Sequence, residues 1–242
     1  MAYVGCASWT NPPRQRASHS SRQSHLEHYA EHFNCVEINS SFYRPHQTKT
    51  YERWRESTPE AFAFSVKTPR SITHECALQH CQGEVRQFMN QVCGLRSKLQ
   101  VVLVQLPPSL EFEARIASRF FSQLTSVCPA RIACECRHPS WFAEEGDSLL
   151  ARLGVSRVAA DPPRAPLDGS PAGASHLEYF RLHGSPRMYY SGYSDVFLKS
   201  LAQRIISPDE SGKLSWCIFD NTAAHRAWPD ALRLNRELAR LA

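Results

Sequence analysis

The sequence predicts a (β/α)8 barrel of the triosephosphate isomerase (TIM) type, folded as a single domain over residues 1–242. Three observations lead there. Eight strand-like apolar runs alternate with helix-like patterns along 242 residues, a length at which α/β barrels form one domain. Seven of the runs end in a charged or amide residue and then a loop, as in VEINSSFY, FSVKTPR, VLVQLPPS, ACECRHPSW, VAADPP, YFRLHGS and CIFDNT. Within the runs, side chains two apart divide into a polar and an apolar face. Spacing alone leaves a doubly wound open sheet as the alternative.

The strands are expected at Tyr3–Ser8, Val36–Asn39, Phe62–Lys67, Val101–Leu106, Ile132–Arg137, Val155–Ala160, Tyr179–Leu182 and Leu214–Phe219. After the first comes a basic, polar segment, Arg14–Arg22, which reads more readily as a solvated loop than as a phosphate contact. Helical periodicity then covers His25–His32, Thr50–Arg55, Glu84–Lys98, Ile116–Val127, Ser148–Leu153, Asp195–Ile206 and Ala224–Leu241. One crossover has no helical pattern. It is the Pro- and Gly-rich stretch Asp161–Ser175, read as a long loop on the site side. Pro69, Pro107 and Pro108 direct the loops after the third and fourth strands.

Parity sharpens the barrel reading. Ala133, Glu135 and Arg137 share one face of RIACECRH, and Ile132, Cys134 and Cys136 the other. FAFSVK divides into Ala63, Ser65 and Lys67 against Phe62, Phe64 and Val66. In YFRLHG, Tyr179, Arg181 and His183 oppose Phe180 and Leu182, and in CVEIN, Glu37 and Asn39 oppose Val36 and Ile38. The polar sets are expected to point inward, at the C-terminal mouth where TIM barrels place their sites.

Composition sets outer limits. There are 28 basic and 23 acidic residues, a formal charge of +5, so an anionic small molecule or a nucleic acid is only weakly favoured as partner. No apolar stretch approaches the roughly 20 residues of a bilayer span. The start, MAYVGCASW, has no signal-peptide layout, and a cytoplasmic location is expected. Nine scattered cysteines without a CxxC pair argue against a disulfide framework or structural zinc. Cys6 and Cys136 have no local base that would make them nucleophiles.

Six strings, VEINSSFYRP, TPEAFAFSVKTPRSITHE, VVLVQLPPSL, ECRHPSWF, YFRLHGSPRMYYSGYS and CIFDNTAAHRA, stand in this order between Val36 and Ala227. Together they resemble the YecE-like family, a bacterial domain of unknown function with a TIM-type barrel. The resemblance implies the fold and no reaction. The chain departs from the family after the first strand, where TNPPRQRASHSSRQS replaces an aromatic- and glycine-containing stretch leading to Tyr-Pro, and Trp9 is the clear aromatic survivor. If that loop covers the site in relatives, a changed substrate or a more open pocket follows.

Glu37, Lys67, Glu135, Asp161, His183 and Asp220 are the candidate catalytic residues. Asn39, Tyr43, Arg70, His74, Gln105, Arg137, His138, Trp141, Arg181, Tyr193 and Asn221 are the candidate substrate contacts. Tyr189 and Tyr190 either grip a ligand beside His183 or form an ordinary turn, and Asn221 and Thr222 either bind phosphate or cap the closing helix.

Four chemistries fit the set. In the first, a hydrolase acts on a phosphate-containing substrate: Lys67, Arg137 and Arg181 hold the anion, Glu135 is general base and His183 acid or base. A divalent-metal variant, by fold-level analogy to endonuclease IV-type barrels, would use Glu37, Glu135, Asp161, His183 and Asp220. It is opposed by interleaved cations and by the absence of HExxH or another tight metal spacing. Glycoside hydrolysis would pair Glu37 with Glu135 and use Trp9, Trp141, Tyr43 and Tyr193 as sugar platforms. The fourth is a binding module without turnover for an anionic metabolite or single-stranded nucleic acid. The purely structural alternative is a buried ion-pair network that closes the barrel top.

Overall fold

A computed structural model of the chain describes residues 2–10, 23–163, 169–206 and 213–241. The Arg14–Arg22 segment lies outside the described residues. Strand and helix alternate as β1 (Ala2–Cys6), α1 (His25–Ala30), β2 (Cys35–Ile38), α2 (Thr48–Glu56), β3 (Ala63–Lys67), α3 (Gln82–Val92), β4 (Leu99–Gln105), α4 (Ala114–Val127), β5 (Arg131–Glu135), α5 (Glu144–Arg152), β6 (Val155–Arg157), β7 (Ala159–Asp161), β8 (Ala172–Gly173), β9 (Leu177–Leu182), α6 (Asp195–Ile206), β10 (Leu214–Phe219) and α7 (Ala227–Leu241).

The strands form two sheets, ordered β1-β10-β9-β7 and β2-β3-β4-β5-β6-β8. Every pair is parallel except β6 with β8. The stretch expected as one sixth strand is divided at Val158. Its first half pairs with β5 and its second with β9, so a single run of chain supplies a strand to both sheets. On the opposite flank one bridge, Ala7 with Glu37, joins β1 to β2. The ladders therefore do not run unbroken around a ring, and the architecture is an α/β fold of parallel sheets.

Strand parity sorts the apolar side chains into two cores. Val36, Ile38, Phe64, Val66, Val104, Ile132, Cys134 and Leu182 pack under the helices with Phe88, Phe121, Leu150 and Leu198. Their opposite-face neighbours Cys35, Ala63, Val101, Leu103, Ala133, Tyr179, Trp216 and Ile218 form a second cluster made from the strands alone. Followed toward the C-terminal strand ends, this inner face turns polar. Glu37 succeeds Cys35, Lys67 succeeds Ala63 and Ser65, and Gln105 succeeds Leu103. Likewise Glu135 succeeds Ala133, Arg181 succeeds Tyr179, and Asp220 succeeds Ile218. All of these polar residues are buried.

Three helices are shorter than their periodicity predicts, the first ending as α1 at Ala30 rather than at His32. The Glu84–Lys98 pattern stops as α3 at Val92, and a 3-10 turn carries the chain to Lys98 with Arg96 at φ 51°. Gly94 lies against the Thr48 carbonyl, where a Cβ would be 2.6 Å away. The Lys98 ammonium donates to the Arg55 and Thr58 carbonyls, each at 2.7 Å, at the C-terminal end of α2. These contacts fix the chain in place of the helix's last turn. The closing helix starts at Ala227 rather than Ala224, after His225 at φ 55°.

Gly5 is needed for a close approach. A Cβ there would sit 2.2 Å from the Cys35 carbonyl oxygen and 2.8 Å from the Tyr29 hydroxyl. That hydroxyl accepts from Cys6 N and donates to Cys35 O, stapling β1 to β2 where the ladder is one bridge long. Gly5→Ala is expected to lower stability by roughly 1–3 kcal/mol, read as a lower midpoint in urea with an unchanged slope.

Candidate functional site

Arg181 stands at the centre of the polar end, on β9 between the two sheets. Its guanidinium grips Glu37 with two hydrogen bonds, Nε to Oε2 at 3.0 Å and Nη2 to Oε1 at 2.6 Å. It also donates from Nη1 to Glu135 Oε2 at 2.8 Å and lies 3.2 Å from Asp220 Oδ2. The planar fork is suited to this, because its N–H groups have fixed directions and three carboxylates stand along them. The Tyr179 hydroxyl, one layer deeper, donates to Glu37 Oε2 at 2.9 Å and touches Ser65 Oγ at 2.9 Å.

Glu135 is encircled by donors. Oε2 accepts from Gln105 Nε2 at 2.9 Å as well as from Arg181, and Oε1 accepts from Arg137 Nε at 3.0 Å and faces His183 Nε2 at 3.1 Å. His183 Nδ1 lies 3.0 Å from Asp220 Oδ2, so its ring is held between two carboxylates. Burial alone would raise Glu135 and Asp220. Arg181 and His183 overcome it, with Arg137 adding to the effect at Glu135, and hold Glu135 well below and Asp220 below the usual carboxylate range. Burial alone would lower His183, and Glu135 and Asp220 outweigh it, so its pKa is raised and the imidazolium is favoured.

Two cations keep unspent capacity. The Lys67 Nζ, on a residue only 4% exposed, stacks 3.9 Å from the Phe42 ring centroid. Among the described residues it has no hydrogen-bonding or carboxylate partner. Burial and the nearby Arg181 bring its pKa down to about 8, against the pull of Glu37, Glu135 and Asp220. Arg137 uses Nε on Glu135, and its terminal nitrogens have no partner among the described residues. At the rim, His74 feels both Lys67 and Arg137, and burial lowers its pKa first. Asp161 ends β7 with Oδ1 buried and without a hydrogen-bond partner, and burial raises its pKa. The Tyr189 ring stands edge-on to His183 at 5.7 Å, on a backbone at φ 68°.

Glu37, Lys67, Gln105, Glu135, Arg137, Asp161, Arg181, His183 and Asp220 thus belong to one strand-end cluster, with His74 at its edge. Several other expected contacts are placed differently. Trp141 is 1% exposed and donates from Nε1 to the Leu110 carbonyl, so it is core and offers no platform. His138 caps the turn Pro139–Phe142 through Ser140 N and Oγ. Tyr43 projects into solvent, packed edge-on to Phe42, and Arg70 pairs with Glu75. Asn221 donates its amide to Ser191 O and to Asp230 Oδ2 in the first turn of α7, and its backbone carbonyl accepts from Ala227 N at 3.2 Å, so it holds the start of the closing helix. Tyr193 braces the loop from below, its hydroxyl donating to Asp161 O and accepting from Gly184 N. Asn39 leads the turn Ser40–Phe42, and its Oδ1 is buried without a partner.

The glycosidase pairing is overturned by geometry, since Glu37 and Glu135 are both committed to Arg181. The metal cage expected from Glu37, Glu135, Asp161, His183 and Asp220 is not formed either. The Arg181 guanidinium fills the space between Glu37, Glu135 and Asp220, and both His183 nitrogens face carboxylates. Ligand-grade donors do come together elsewhere, at His28, Glu31 and His32. The spacing His-x-x-Glu-His is a tight one that a search for HExxH passes over. Sequence reading also passed over Tyr179 and Ser65 as site members, though their parity carried the signal. The Cys6 thiol is pushed up to about 12 by burial, and Cys136 packs in the core under the helices.

Among the described residues no helix is long and apolar enough to cross a membrane. The chain is 36% identical to the UPF0759 protein YecE of Escherichia coli K12 over 168 residues, 66% of this chain and 59% of that protein. It is 28% identical to the UPF0759 protein YunF of Bacillus subtilis over 181 residues, 68% of this chain and 62% of that protein. These matches span less than two thirds of either relative's length. A solved DUF72 family protein from Thermotoga maritima superposes with a TM-score of 0.81 at 25% identity, covering 99% of each chain. Another, from Enterococcus faecalis, gives 0.82 at 20% identity over 99% of this chain and 96% of that one. The family described as protein of unknown function DUF72 matches residues 3–242, and with nearly the whole length accounted for, the chain belongs to the DUF72 family.

Proposed function

We propose that the two sheets act as one single-domain (β/α)8-type barrel whose C-terminal mouth binds a phosphate-bearing substrate and hydrolyses its ester. The observation that carries this reading is the Lys67 ammonium, on a buried residue and without a hydrogen-bonding partner among the described residues, together with the unspent terminal nitrogens of Arg137, both charges acting on His74. Leaving a buried cation unpaired is costly unless an anion completes it. A phosphoryl group does so, with two donors to its oxygens and Arg181 behind them.

The roles differ from those that charge alone suggests. Glu135, saturated by donors and held ionised, is a poor base. Asp161 is the better one, because its raised pKa leaves it basic and its buried Oδ1 has no hydrogen-bond donor satisfying it, so a water that enters with the substrate would find an open acceptor there. His183, held as imidazolium between Glu135 and Asp220, serves as general acid by giving the leaving oxygen the Nε2 proton that otherwise faces Glu135 Oε1. Glu37 and Asp220 hold Arg181 and His183 in place, and Gln105 orients Glu135. A second reading, binding without turnover, is favoured by the saturation of Glu37, Glu135 and Asp220.

Titration with inorganic phosphate, followed by phosphomonoesters, phosphodiesters and short single strands, tests this by thermal stabilisation and phosphate release. Saturable binding lost in Lys67→Met is expected. Asp161→Asn and His183→Gln are each expected to retain binding and lose 10²–10⁴-fold in turnover. Binding with no release across the panel would move the assignment to the binding module. No anion binding at all would reject the site.

A further inference from the structure

We propose that His28, Glu31 and His32 form a second site, on α1 and its C-terminal end, that binds a late divalent transition-metal ion such as zinc or nickel. One ligand atom from each residue lies within 4.8 Å of the others. The residues stand at i, i+3 and i+4, which a helix turn brings onto one face. Helical geometry continues through Glu31, the C-cap at φ −71°, and the His32 N–H bonds to the Tyr29 carbonyl.

The donor set and its support both suit such an ion. Two imidazoles and a carboxylate are the ligands that zinc and its neighbours prefer. Ligand bonds of about 2.0–2.1 Å in a tetrahedron put donor atoms roughly 3.3 Å apart. His28 Nδ1 and Glu31 Oε2 already stand 3.4 Å apart. Gln23 Nε2 donates to Glu31 Oε1 at 2.7 Å, which orients the carboxylate and leaves Oε2 turned to the histidine. His28 is buried while Glu31 and His32 are exposed, so the site has a rigid floor and an open side for water or a fourth ligand. Trp228, at the start of α7, packs against both rings, with centroids 6.0 Å from His28 and 5.5 Å from His32. Bound metal would therefore tie the end of α1 to the surface it shares with α7.

The same tryptophan supplies the readout. Untagged, chelator-treated protein is titrated with nickel, a paramagnetic quencher, while tryptophan emission is followed, and zinc is then added as competitor. Saturation at one ion per chain is expected, with quenching reversed by zinc and reduced at least twofold in Trp228→Phe. His32→Ala and Glu31→Gln alter exposed side chains and are expected to weaken binding at least tenfold. Cys76→Ser and Cys93→Ser are expected to leave it unchanged. Binding indifferent to His32 and Glu31, binding lost with the cysteines, or no stoichiometric binding would each overturn the proposal.

Discussion

Arg181→Met is expected to lose about 3–5 kcal/mol of folding stability, enough to unfold most of the chain at temperatures the parent tolerates. The guanidinium is fully buried and answers Glu37, Glu135 and Asp220 together. Methionine fills much of the volume and none of the charge. Three buried carboxylates would then share the single imidazolium of His183 and the nearby Arg137 and Lys67. The variant's deficit has a pH signature. In the parent, Glu135 and Asp220 have depressed pKa values. Their stabilisation is present above the ordinary carboxylate range and is lost as pH falls through the folded values. Without Arg181, burial dominates and raises the same groups, so the variant regains stability relative to the parent as pH falls toward 4. Urea titrations at several pH values read this directly. A deficit below about 1 kcal/mol at neutral pH, or one independent of pH, would show that the network does not hold the strand ends together.

That network also explains what could be read from the sequence and what could not. Period-two alternation is a local property, so the sequence alone separates Ala133, Glu135 and Arg137 from Ile132, Cys134 and Cys136. The structure keeps Ala133 in the strand-only core and Cys134 under the helices. The break at Val158 was not legible, because it depends on which neighbours β6 and β7 find. Trp141 and His138 follow a strand as site residues do, yet the turn Pro139–Phe142 folds the indole back onto Leu110 and spends the imidazole on a cap. The pairing of Glu37 with Arg181, 144 residues apart, is likewise a product of the packing of one sheet against the other and not of any motif.

Lys67→Met carries the opposite sign, and this contrast separates the site's structural cations from its functional one. Arg181 has its pKa raised by carboxylates that outweigh its burial, whereas burial and Arg181 bring Lys67 from 10.5 down to about 8. A cation whose pKa is depressed by about 2.5 units on folding costs about 3 kcal/mol while it stays charged in both states. That penalty is complete below pH 8 and fades as pH rises from the folded to the unfolded value, because over that interval the unfolded chain binds the extra proton. Lys67→Met removes the charge and keeps the stem over Phe42, so it is expected to stabilise the protein by up to about 3 kcal/mol at neutral pH, with the gain shrinking toward pH 10. Anion affinity should vanish in the same variant. In the parent, that affinity should fall up to tenfold per pH unit above about 8, as the free ammonium deprotonates. Denaturant midpoints and phosphate titrations across pH 6.5–10 measure both quantities on the same two proteins. A variant that gains stability while losing the ligand identifies Lys67 as a charge held in readiness for an anion. A variant that loses stability would make Lys67 one more member of the buried network and leave the mouth without its binding cation.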